Sequence, residues 1–213
     1  MNRKLAAVLI ACFGAAAGVV GHQLNNHPRV QAALTRASLE VDREGTRYLS
    51  RLGFSCGVES WDVKVMRDAA AVQVNPTPQR TNIPALVGLG GPSGQRLIPP
   101  QTYQLTGTRL VAYKLEPDSD IHLVLRSTLG SHPTMIAEIP DPMCAANSVV
   151  LAQITAARAA FVQQVGPPQT SFTTVDVGVT VAGVGFVDFA HGQTGADPNQ
   201  VELHPIVAFR RLQ

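Results

Sequence analysis

Four valines spaced two apart, Val175, Val177, Val179 and Val181, alternate with Thr174, Asp176, Gly178 and Thr180. A period of two puts all four side chains on one face only if the backbone is extended, so the run predicts a strand packed on a core. Gly183 and Gly185 interrupt the pattern just beyond. Glycine there permits the bulge or sharp bend that a small barrel needs. Around this strand the C-terminal half falls into order. Residues 103–116 (YQLTGTRLVAYKLE), 120–127 (DIHLVLRS) and 134–139 (TMIAEI) predict three strands, 148–165 a helix, 173–189 a fourth strand and 201–212 a fifth. In the helix Val150, Ile154, Ala157, Phe161 and Val165 form one stripe, with Asn147 or Ser148 as cap and Gly166-Pro167-Pro168 as stop. Three strands, a helix and two strands is the order of an OB-like five-stranded barrel (β-β-β-α-β-β), with an antiparallel sandwich as the alternative. The fold class expected is therefore mainly β with one or more helices. The barrel is expected over 101–213, behind an N-terminal helical and irregular extension over 22–100.

The first residues carry a different message. Arg3 and Lys4 precede the uncharged run LAAVLIACFGAAAGVVG, residues 5–21, with Ala15, Ala16 and Ala17 near its end. A basic start, an apolar middle and a small-residue exit make 1–21 a signal peptide. Left uncleaved, 5–21 is the segment that would anchor the chain in a membrane. Leu9-Ile10-Ala11-Cys12 also has the form of a lipoprotein box. The expectation is export, periplasmic or extracellular. Cleavage removes Arg3, Lys4 and Cys12, leaving fifteen basic against fifteen acidic residues. A neutral chain is a poor general binder of nucleic acid, whose affinity rests on Lys and Arg set against phosphates. Cys56 and Cys144 remain as a pair, and an oxidising compartment predicts a disulfide between them.

Within the extension, residues 28–52 read as a helix broken near Gly45 and 61–74 as a short mixed segment. Thr81 or Asn82 is placed to cap a brief helix around Ala85 and Leu86. Gly88-Leu89-Gly90-Gly91 lacks the Lys-Ser/Thr of a phosphate loop and reads as a turn.

Chemistry is concentrated in two matching tripeptides, Asp120-Ile121-His122 and Glu202-Leu203-His204. In a strand each puts a carboxylate and an imidazole on one face and an aliphatic side chain on the other. Asp118, Asp120, His122, Glu202 and His204 are the candidate ligands of a divalent metal. Glu116, Asp118 and Asp120 form an acidic turn of the kind that suits a hard cation such as calcium. That turn has equally the composition of a solvated β-turn. The loop HGQTGADPNQVELH adds His191 and Asp197 as further metal donors. Gln193 and Asn199 are candidate ligand-binding residues, able to orient a water or a substrate. The same loop is also explained by turn chemistry at Asp197-Pro198-Asn199. His122, His191, Glu202 and His204 are the catalytic candidates, since histidine titrates near neutral pH.

The segments KLEPDSDIHLVL, TMIAEIPDPMC, ITAARAAF, TVAGVGFVDFAHGQTGADPN and VELHPI together resemble a group of exported bacterial proteins of uncharacterised activity. The resemblance covers residues 60–209 and implies kinship without assigning a reaction. Val187 and Asp197 depart from that group's pattern, the second by adding a charge near His191. The turn and strand EPDSDIHLVL is also similar to the acidic turn of thermonuclease-like OB nucleases, whose arginine pattern is not matched here.

Other chemistries are excluded by missing parts. No Gly-x-Ser-x-Gly elbow occurs, no dinucleotide fingerprint sits in a βαβ setting, and neither remaining cysteine has a catalytic partner nearby in sequence. Aromatic residues are 5% of the chain, too few for an extended stacking platform. Two readings remain. One is an exported, non-catalytic module that binds a small ligand, a glycan or an envelope protein. The other is a metal-dependent hydrolase, of the phosphodiesterase or nuclease kind, using the Asp/His/Glu cluster. They differ in one requirement: the hydrolase needs both tripeptides to line one open cavity.

Overall fold

The computed structural model describes residues 55–131 and 133–213. The signal peptide, the anchor, the lipoprotein cysteine and the 28–52 helix all lie outside the described residues. From Ser55 the chain forms a short helix α1 (Trp61–Lys64), a 3-10 turn (Ala69–Gln73), strand β1 (Asn75–Thr81), helix α2 (Ile83–Val87) and strand β2 (Gln95–Arg96). There follow β3 (Gln101–Leu115), β4 (Ile121–Ser127), β5 (Thr134–Ile139), helix α3 (Leu151–Gln164), β6 (Thr173–Val187) and β7 (Val201–Arg211). All strands belong to one seven-stranded sheet in the order β1-β3-β4-β5-β7-β6-β2, with β3 also paired to β6. The β5–β7 and β1–β3 pairs are parallel and the others antiparallel. The protein is thus mainly β, and the five long strands and their helix occur in the order read from the sequence.

Alternation decides what each face does. Ile121, Leu123 and Leu125 of β4, Ala137 and Ile139 of β5, Val179 and Val181 of β6 and Val201 and Leu203 of β7 point into the main core. Val175 and Val177 pack at its edge. Helix α3 closes one end of that core with Ala157 and Phe161, and Phe161 stacks edge-on against Tyr113 and Phe209. The side chains between those apolar ones, including His122, Glu138, Glu202 and His204, therefore take the opposite face of β4, β5 and β7.

That opposite face is covered by protein. Trp61 and Val65 pack with Cys144, Ala145 and Ile154 in a second apolar cluster, and Cys56 lies against it. A Cys56–Cys144 disulfide straps this segment down, with Cα atoms 5.4 Å apart and a sequence separation of 88. The Trp61 indole N–H donates to the Cys144 carbonyl at 3.1 Å. The cover is held by a covalent bond, an apolar contact and a buried hydrogen bond.

Three local expectations change in detail. Helix α3 starts at Leu151, so neither Asn147 nor Ser148 is its cap residue; Val150 holds that position with no side-chain bond to the helix. The Ser148 hydroxyl instead accepts from the Val150 N–H in a turn ahead of the helix. Asn82, not Thr81, caps α2, its side chain accepting from the Ala85 N–H at 3.0 Å. The stretch before Gln101 also supplies two strands. β1 has the sequence NPTPQRT and pairs in parallel with β3 at the sheet's edge. An edge position tolerates Pro76 and Pro78 because a proline lacks the N–H that a central strand must donate.

Gly183 and Gly185 sit where the β6–β7 register shifts. A Cβ on Gly183 would lie 2.8 Å from the Pro205 carbonyl oxygen, and one on Gly185 2.6 Å from Leu97 Cδ1. These glycines permit a close backbone approach at the bend.

Candidate functional site

Register assembles the cluster. His122 of β4 stands opposite Glu138 of β5, and the parallel pairing of Ile136 with Glu202 brings Glu138 alongside His204. Glu138 Oε1 is 3.0 Å from His122 Nδ1, and Glu138 Oε2 is 3.2 Å from His204 Nδ1. Glu202 Oε1 also lies 3.2 Å from His204 Nδ1, and Asp120 Oδ2 lies 3.2 Å from His204 Nε2. The two tripeptides do converge, and Glu138 is the residue that joins them.

Geometry sets the protonation of His122. Its Nε2 faces the Thr194 carbonyl oxygen at 3.0 Å and its Nδ1 faces a carboxylate. Both partners only accept, so both ring nitrogens donate and the ring is an imidazolium. Burial is the largest influence on His122 and would depress it, but the hydrogen bond and charge of Glu138, the Thr194 carbonyl and Glu116 together outweigh it and raise the pKa. His204 follows the same logic more strongly: burial opposes its charge, yet Asp120, Glu138 and Glu202 hold it well above the ordinary histidine range. Glu138, between two imidazoles, is pulled well below the usual carboxylate range despite its burial. Burial pushes Asp120 up to about 7 against the pull of His204, and pushes Glu202 up as well.

The network runs on through Lys64 of α1. Its Nζ is 3.1 Å from Asp188 and 3.9 Å from Glu202, and those carboxylates with Glu138 keep its pKa raised against the cost of burial. Lys64 thus ties the strapped cover to the sheet through a buried charge. Asp188 also accepts from His191 at 3.1 Å, and His191 is half exposed. On the far side His122 lies 3.5 Å from Glu116, which pairs with Lys114 at 3.0 Å.

The remaining sequence candidates sit at the margin. Asp118 accepts from the Asp120 N–H at 3.2 Å and is half buried, with burial raising its pKa. Asp197 orders its own loop, accepting from the Asn199 N–H at 2.8 Å, and burial pushes it up. Asn199 donates to the Val87 carbonyl at 2.9 Å, a tie to α2 in place of a free ligand contact. Gln193 lines a crevice beside Glu202 with Ile136, Asp188 and Gln200, and that crevice admits no water-sized sphere. His191 is outside the His122–Glu138–His204 group and reaches it only through Asp188 and Lys64.

Sequence reasoning missed Glu138 and Lys64. The signal for Glu138 was present, a single carboxylate on the face of β5 opposite Ala137 and Ile139, but its meaning depends on register. For Lys64 no local pattern exists, because its partners are 124 and 138 residues away.

Asp120, Glu138 and His204 could hold a metal ion, since one donor atom from each lies within 4.8 Å of the others. Side-chain exposures of 0% for His204 and Asp120, 1% for His122, 2% for Glu202 and 4% for Glu138 leave no approach for a substrate to this group. The disulfide fits an oxidising environment. Among the described residues no helix is long and apolar enough to cross a membrane. Comparison with protein-family models, with curated proteins and with solved structures finds no match to the chain.

Proposed function

We propose that this is an exported, non-catalytic binding and interaction module built on an OB-like five-stranded barrel. Support for the barrel is the ring of pairings β3–β4–β5–β7–β6, which returns to β3. The observation that carries the non-catalytic reading is closure. Every titratable group of the central cluster is buried beneath a segment strapped down by a disulfide. General acid–base or metal-assisted hydrolysis needs a reacting atom within about 3 Å of those groups, and their side chains are at most 4% exposed. On this reading the His–carboxylate group locks strands together, and recognition falls to exposed loops. The strand-connecting loop around Gln193 is the first candidate, because the equivalent loop of OB-like barrels commonly forms the ligand face. The partner is a small ligand, a glycan or an envelope protein, and export to the periplasm or beyond is part of the same proposal. Kinship with the exported bacterial group follows from the shared segments.

The convergence of Asp120, His122, Glu202 and His204 is what favours the metal-dependent hydrolase, the second reading. One experiment separates the two. Hydrolysis of bis-p-nitrophenyl phosphate and of single-stranded DNA is measured with zinc, manganese or calcium added, for the wild type and for His122→Ala/His204→Ala. In parallel the 15N-labelled protein is titrated with envelope glycan fragments. The binding reading expects no turnover and amide shifts confined to the exposed loops. Turnover that disappears in the folded double variant would overturn it.

A further inference from the structure

Three buried polar atoms that make no hydrogen bond lie in one place: Oδ1 and Oδ2 of Asp120 and Nε2 of His204. Oδ2 and Nε2 are 3.2 Å apart, with neither side chain exposed, yet their alignment is not that of a hydrogen bond. A fully buried carboxylate without a donor is costly, so an ion or water is the usual explanation for such a group. Arg158 of α3 does not fill the role. Its guanidinium donates to the Ile139 and Ser119 carbonyls and pairs with Asp141.

The other side of the His204 ring is already occupied. Nδ1 faces Glu138 Oε2 and Glu202 Oε1, each at 3.2 Å, and both are acceptors. When the ring carries a single proton, that proton belongs on Nδ1, and the lone pair of Nε2 is directed towards Asp120. A histidine whose Nδ1–H is held by a carboxylate while Nε2 faces a second donor is how proteins prepare an imidazole to bind a metal.

We propose that Asp120 and His204 Nε2 hold a divalent cation of the zinc class as a structural ion. Water completes the shell, and half-buried Asp118, which accepts from the Asp120 N–H, orders the backbone that carries the ligand. Glu138 and Glu202 are outer-shell residues that orient the ring; Glu138 is committed by its second oxygen to His122. Binding displaces the Nε2 proton, so one proton leaves for each ion taken up by the imidazolium form. The ion would join the start of β4 to β7, a role that needs no open cavity. The inference goes beyond the binding reading and can fail independently of it.

The test uses the full secreted chain. Zinc is measured by elemental analysis after loading and exhaustive dialysis, and thermal unfolding is followed with zinc and with EDTA. Visible absorption is recorded on titration with cobalt(II). The expected result is about one equivalent of zinc, a melting point about 5 °C or more higher with zinc than with EDTA, and cobalt bands from N/O coordination. Asp120→Asn is expected to lose the zinc, and His191→Ala, outside the site, to keep it. Should Asp120→Asn fail to fold, the wild-type cobalt titration decides. A wild type with no retained zinc, no melting shift and no cobalt bands overturns the proposal, as does a folded Asp120→Asn that still binds one equivalent.

Discussion

Glu138 Oε2 lies 3.2 Å from His204 Nδ1 across the junction of two parallel strands, while the other oxygen of the same carboxylate holds His122 at 3.0 Å. One acid is thus the shared counter-charge of two buried imidazoles. Removing one member of a buried ion pair costs more than the pair contributes, because the partner is left charged and dry.

Glu138→Gln keeps the shape and deletes the charge. It is expected to destabilise the metal-free protein by about 3–5 kcal/mol in urea unfolding followed by circular dichroism. A loss below about 1 kcal/mol would mean that the imidazoles are neutral in the fold and that the shared-counterion account is wrong.

The strap is tested by Cys56→Ala/Cys144→Ala. With a sequence separation of 88 between the cysteines, opening the loop is expected to cost about 4 kcal/mol, read as a fall in the urea midpoint. Intact mass with and without reductant checks the bond itself. A native protein carrying two free thiols would remove the covalent part of the cover.

Two glycines of β6 are expected to behave oppositely. An added Cβ at Gly183 meets the Pro205 carbonyl at 2.8 Å, whereas at Gly178 the nearest atom is Leu212 Cβ at an ordinary 3.5 Å. Gly183→Ala is expected to cost about 1–3 kcal/mol, and Gly178→Ala to be near neutral. Equal effects in thermal unfolding would show that the strand does not bend as described.

The Asp68–Arg96 pair gives a pH dependence away from the central cluster. The Arg96 guanidinium hydrogen-bonds both Asp68 oxygens and holds the carboxyl below its ordinary value. A lowered folded pKa means the folded state binds fewer protons there than the unfolded chain. The stabilisation is therefore fully present above the unfolded value near 3.8 and fades as pH falls through the lower folded value. Asp68→Asn is expected to lower stability at pH 6 and to converge on the wild type in acid. A constant gap between the two curves would refute the pairing.

The sequence by itself determined the β-rich class, the order of five strands and a helix, the capped turn of helix at Ala85 and the pairing of Cys56 with Cys144. Each of these rests on local information. A valine every second residue specifies a face, a capping side chain at Thr81 or Asn82 specifies a helix start, and Cys56 and Cys144 are suited to pair in an oxidising environment. The tertiary structure decided what the polar faces do. Asp120-Ile121-His122 and Glu202-Leu203-His204 announced two half-sites, but only the β4–β5 and β5–β7 registers put Glu138 between their imidazoles. Lys64 and the strapped cover, which turn an exposed-looking sheet face into a buried ion network, come from residues far away in the chain. Side-chain period is set within a few residues, whereas register and burial are set by contacts between distant segments.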